Sequence, residues 1–134
     1  LYIKDRRLVH DLNIGGLHNI VTSEREITAG AHRLGLHVAR LRRTAPPALG
    51  ARTGVSAYRL LIDGEAAGSL ETRHGFHNLI SWSGLDIGRD RGSPVSHYAA
   101  PFEFTGRLLC VEVTMHDDQA LDGDGVGQAE MARQ

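Results

Sequence analysis

The chain of 134 residues has a single cysteine, Cys110, so no intramolecular disulfide can form and the fold has to be held by packing. That one residue also says nothing about the redox compartment. No apolar run approaches the roughly 20 residues that a membrane-spanning helix needs, and the N-terminal residues lack the basic-then-apolar pattern of a secretory signal. No excess of charge of one sign is present either. A net charge of -1 gives no electrostatic reason to expect nucleic acid or an anionic membrane, and neither is assigned as a partner. There is no internal repeat, no convincing amphipathic helix and no initiator methionine. "LYIKD" opens as though already inside a strand, so the chain is expected to be a segment of a longer protein, with a cytoplasmic and a periplasmic or secreted location both compatible.

What is present is β patterning. Hydrophobic residues make up 41% of the chain and charged residues 23%, which suits one globular domain able to bury its own core. "LYIKDRRLVHDLN" reads as a hairpin turning at Asp5 and Arg6. In "HRLGLHVARL", Leu34, Leu36 and Val38 share one face of a half-buried strand. "VSAYRLLIDGEAAGSL" sets Tyr58, Leu60 and Ile62 on one face, then supplies Asp63-Gly64, a pair suited to positive φ, before a second strand from Glu65 to Leu70. "RLLCVEVTM" alternates over residues 107–115 and predicts a long, centrally placed strand, with Cys110 as a small buried hydrophobe. The Pro- and Gly-rich residues 42–54 are expected to connect, and the acidic, Gly-rich tail 117–134 to be mobile. Eight to ten short strands of this kind imply an all-β antiparallel sandwich or barrel.

The densest stretch is "DIGRDRGSPVSHYAAPFEFTG", residues 86–106, whose composition fits either a catalytic loop or a polar structural clasp. Ser93, Ser96 and His97 lie close in sequence, but no G-x-S-x-G elbow accompanies them. Asp86 and Asp90 could offer oxygens to a cation; the plainer expectation is that they accept loop amides or pair with Arg89 or Arg91. His74-x-x-His77 is the one close histidine pair, and alternating strand geometry would put its members on opposite faces. In the tail, "DGDGVGQAEMAR" breaks the EF-hand pattern at Val126 and again at Arg133, where the closing Glu belongs. No metal is therefore assigned. Trp82 and Tyr98 could stack on a sugar or meet a partner; in a chain with 5% aromatics they could equally close the core.

The run Gly88-Arg89-Asp90, Gly92-Ser93-Pro94-Val95-Ser96, Tyr98, Pro101-Phe102 and Phe104-Thr105-Gly106, with "YRLLIDGEAAGSL" before it, resembles the C-terminal β-domain of bacterial arylsulfatases. "LYIKDRRLVHDLN" and "ITAGAHRLGLHV" resemble that domain's earlier segments in the same order, so the likeness covers residues 1–116 and leaves 117–134 as a tail. Two departures are Arg6, where the family's first hairpin usually has Gly, and Trp82-Ser83, where an acidic pair is typical.

The resemblance implies a jelly-roll sandwich of the concanavalin or laminin-G type, with Asp86, Arg89, Asp90, Ser93 and Tyr98 as its structural signature. It further implies a partner, the catalytic sulfatase domain of the same polypeptide, which would use formylglycine and a divalent cation, calcium being expected. The formylglycine motif, Cys or Ser followed by x-Pro-x-Arg, is absent here: Cys110 is followed by Val-Glu-Val-Thr and Ser93 by Pro-Val-Ser-His. The expected role is thus a non-catalytic accessory domain, with a laminin-G-like glycan-binding module as the alternative. Removing such a domain from its enzyme exposes apolar surface, so an artificial homodimer is a foreseeable by-product.

Overall fold

The computed structural model describes residues 1–41, 55–73 and 85–114. Among them, six strands form two antiparallel three-stranded sheets and no helix is present. The first sheet runs β1 (Tyr2–Lys4), β2 (Arg7–Ile14), β3 (Leu17–Thr22). The second runs β4 (Leu34–Leu41), β5 (Val55–Ile62), β6 (Glu65–Thr72). The architecture is all-β and sandwich-like, as the alternation predicts.

Three of the strand connections are two-residue turns with positive φ at both positions, the geometry whose twist matches that of the flanking strands. Asp5 and Arg6 (φ 50° and 60°) join β1 to β2, Gly15 and Gly16 (59° and 93°) join β2 to β3, and Asp63 and Gly64 (55° and 85°) join β5 to β6. The first and third fall where the sequence predicts them. At the first, a non-glycine residue occupies the second turn position, which costs Arg6 some strain.

Period-two alternation sorts the side chains of the first sheet. Ile3, Leu8, His10 and Val21 lie on one face; Tyr2, Lys4, Val9, Asp11, Asn13 and His18 lie on the other. The inner face meets Leu60, Ile62 and Ala67 of the second sheet, and Leu8, Val21, Leu60, Ile62 and Ala67 form the core between the sheets. Tyr58, Leu60 and Ile62 are all buried, as their shared face predicts, and Leu34 and Leu36 pack against the same core. Val38, further along β4 and opposite Tyr58, stays 41% exposed. Where β6 crosses β3, Gly68 lets the backbones close in: a Cβ there would sit 3.1 Å from the Thr22 carbonyl oxygen. A bulge at Leu60/Leu61 accompanies this approach.

The segment 23–27 ties the sheets together. Ser23 N donates to Leu8 O (2.8 Å), Glu24 N to Ala67 O (2.7 Å) and Ile27 N to Arg6 O (2.6 Å). The Arg25 guanidinium reaches the Ile62 carbonyl at 2.5 Å.

The expected final strand is corrected by the structure. Residues 107–114 carry no ladder partner among the described residues and are exposed, Leu109 at 74% and Val113 at 73%. Cys110 is exposed rather than buried. Alternation states which side chains share a face of a strand, but a strand also needs a sheet edge to bond to, and that is not written in the alternation. Glu112 of this segment pairs with Arg33, just before β4, at 3.1 Å, with both side chains exposed.

Candidate functional site

The motif stretch lies over the outer face of the first sheet, the face turned away from the core. Each contact comes from a side chain that alternation aims outward. The Tyr2 and Ser96 hydroxyls are hydrogen-bonded at 2.9 Å, Lys4 Nζ donates to the His97 carbonyl (3.1 Å), and Asn13 Nδ2 donates to the Val95 carbonyl (3.0 Å). Asn13 Oδ1 simultaneously accepts from Gly16 N (2.8 Å), so one side chain both fixes the β2–β3 turn and anchors the loop. The Tyr2 ring meets Tyr98 and Phe102 edge-on at 5.0 and 5.8 Å, and Tyr98 stacks on Phe102 at 4.3 Å.

Within the stretch, Asp90 is the organiser. Its Oδ2 accepts from the Tyr98 hydroxyl (2.9 Å) and from Val95 N (3.3 Å), and its Oδ1 from Gly92 N (3.3 Å). Burial and the Asp90 carboxylate together push the Tyr98 phenol well above its ordinary range. Asp86 accepts from both the amide and the guanidinium of Arg91 (3.0 and 2.7 Å), which holds its carboxyl below the usual range. Arg91 takes this role; Arg89 and Ser93 are exposed. Both Asp86 and Asp90 thus accept from donors of their own loop, the plainer of the two expectations from sequence. Phe102 is half-buried in the ring cluster, whereas Phe104 is 42% exposed.

Ser96 and His97 do not form a nucleophile–base pair. The Ser96 hydroxyl is buried against Tyr2, and the His97 ring instead lies 4.3 Å from that of His18, tilted by 32°. His18 Nδ1 is 2.6 Å from Asp11 Oδ2. The Asp11 side chain is only 1% exposed, and its Oδ1 has no hydrogen-bond partner. Neither Asp11 nor His18 figures in the expectations from sequence. Reading Gly15-Gly16 as a two-residue turn would have set Asn13 opposite His18 and Asp11 diagonal to it on the same face.

Trp82, the His74/His77 pair, the connection 42–54 and the tail 117–134 lie outside the described residues. Among the described residues, no group of three or more His, Cys, Asp or Glu side chains converges as a metal cage. A concavity of about 410 Å³ lies on the outer face of the second sheet, over Ala39, Ala57 and Ala66 with Arg59 and Glu71 beside them. No family model matches the chain, and no curated protein or solved structure matches it either.

Proposed function

We propose that the chain is a non-catalytic accessory domain of the kind found at the C-terminus of bacterial arylsulfatases, a jelly-roll, laminin-G-like sandwich that packs on and supports the catalytic domain of the same polypeptide. The observation that carries this reading is where the polar groups of the motif stretch are used. Asp86, Asp90, Ser96 and Tyr98 bond to one another's loop and to the sheet beneath it. A hydrolytic loop instead holds a nucleophile free toward substrate and within reach of a base.

The apolar surface supports the same reading. Of the twelve large hydrophobic side chains exposed among the described residues, eight fall between Leu85 and Val113, which concentrates a sticky surface on the motif-bearing side of the sequence. A catalytic domain docked there would cover it. Formylglycine chemistry and calcium binding would belong to that domain, because the Cys/Ser-x-Pro-x-Arg motif is absent from this sequence. Tyr98, stacked between Phe102 and the edge of Tyr2, is poorly placed to offer a face to a sugar, which favours support over glycan binding.

The test is an assay of the purified chain on an aryl sulfate, paired with inspection of the coding sequence immediately upstream. The expected result is no turnover by the chain and an upstream Cys/Ser-x-Pro-x-Arg motif in the same frame. Metal-dependent turnover by the chain alone, or an upstream sequence without that motif, overturns the proposal.

A further inference from the structure

We propose that the edge of β4 is a strand-docking site and that its occupant is residues 107–112 of this chain, laid antiparallel along it as a fourth strand of the second sheet. This does not depend on the accessory-domain reading. β4 stands at the end of the order β4-β5-β6 and pairs only with β5 among the described strands. A strand in that place presents backbone donors and acceptors that pair readily with another extended segment. Residues 107–114 are the complementary object. They alternate as a strand does, none of them has positive φ, and they bond to no sheet among the described residues, while Leu109, Val111 and Val113 stand 74%, 52% and 73% exposed.

Glu112 selects the register, because its carboxylate meets the Arg33 guanidinium just before β4. Setting those two residues opposite each other in an antiparallel pair places Val111 against Leu34, Cys110 against Gly35, Leu109 against Leu36 and Arg107 against Val38. Leu34 and Leu36 pack against the core, so Val111 and Leu109 extend that apolar face by one strand. The aliphatic stem of Arg107 then lies over Val38, which is otherwise 41% exposed. On the opposite face Gly35 has no side chain to crowd Cys110. A slip of one residue would turn Leu109 and Val111 outward. A parallel strand set by the same ion pair would carry residues 107–111 past the start of β4 and off the sheet. The chain's own segment outcompetes a second copy because it is tethered and its Glu112 is at the edge, which makes its effective concentration high.

Cys110 is the only cysteine of the chain, so the register can be read by cross-linking. In the whole chain, Gly35→Cys should form a disulfide with Cys110 under mild oxidation, seen as loss of both free thiols in a species that stays monomeric. A Cβ at position 35 meets only ordinary contacts, so this variant is expected to fold. Ala39→Cys, on the same face but further along β4, should keep its thiols. Amide hydrogen exchange supplies a second reading. Residues 107–112 should exchange at least about 10-fold more slowly in the native chain than in Leu109→Asp, which alters a side chain that is exposed while the segment is undocked and so leaves the core intact. An unbridged Gly35→Cys, equal bridging at positions 35 and 39, a disulfide-linked dimer in place of the monomeric bridge, or equal exchange in the native chain and Leu109→Asp overturns the proposal.

Discussion

The imidazole of His10 on β2 stacks on the phenol ring of Tyr58 on β5, with centroids 4.8 Å apart and planes 27° from parallel, across the space between the two sheets. Both residues are 8% exposed, and neither His10 nitrogen has a hydrogen-bond partner. Burial, with a smaller contribution from the chain's N-terminal charge and against the opposing pull of Asp11, pushes the His10 pKa down to about 4. The sheets are thus joined by a histidine that has to stay neutral.

Acid should therefore loosen the sandwich. The unfolded chain protonates His10 near pH 6.5 and the folded chain only near 4, so stability falls as pH drops through that window and levels off below it. The lost contribution is at most about 3.5 kcal/mol, because each tenfold difference in proton affinity between the unfolded and folded chain is worth about 1.4 kcal/mol. His10→Phe keeps a ring on Tyr58 and removes two unsatisfied nitrogens. Urea denaturation at pH 7 should show a gain of about 1–3 kcal/mol, and the same measurement repeated down to pH 4 should show a flatter acid limb.

Gly68 and Gly35 should respond differently to alanine. A Cβ at position 68 would lie 3.1 Å from the Thr22 carbonyl oxygen and 3.4 Å from a Val21 methyl, so β6 would have to move away from β3. A loss of about 1–3 kcal/mol in thermal or chemical denaturation is expected for Gly68→Ala. At position 35 the nearest atom is Leu61 Cβ at 3.5 Å, an ordinary contact, and Gly35→Ala should be neutral or slightly stabilising.

Arg6 holds φ near 60° in the first turn. Arg6→Gly relieves that strain while keeping the backbone bond from Ile27 N to Arg6 O. The ion pair it gives up, Arg6–Glu26 at 2.6 Å, is exposed on both sides and worth little. A net gain of about 0.5–1 kcal/mol is expected in a denaturant midpoint shift.

Tyr98→Phe preserves the stack on Phe102 and deletes the hydroxyl that donates to Asp90. A hydrogen bond to a charged group lost at a half-buried site should cost about 1.5–3 kcal/mol. Limited proteolysis should then cut residues 86–106 faster than in the native chain, with strands β1–β6 cleaved at their native rate.

Much of the strand framework is legible from local pattern. Tyr58, Leu60 and Ile62 alternate with Arg59 and Leu61, and Asp63-Gly64 can take positive φ, so face and turn follow from residues within ten positions of each other. The β2–β3 turn is equally available in Gly15-Gly16. Residues 107–114 defeat the same reasoning, because their alternation is that of a strand while their exposure is not.

The candidate site is far less legible. Its contacts join Tyr2, Lys4 and Asn13 to a loop more than 80 residues away, and unless residues 15 and 16 are read as a turn the Asp11–His18 pair stays hidden altogether.

The sequence by itself determined the β class, the positions of turns able to take positive φ, and the absence of a formylglycine motif, because each depends on residue type and short spacing alone. Only the tertiary structure decided that the motif stretch turns its carboxylates and hydroxyls toward its own amides and toward Tyr2, that His10 sits on Tyr58 between the sheets, and that Arg91 rather than Arg89 holds Asp86. Those outcomes depend on which donors reach which acceptors across tens of residues. Period-two alternation fixes the face a side chain occupies but carries no information about what is laid over it.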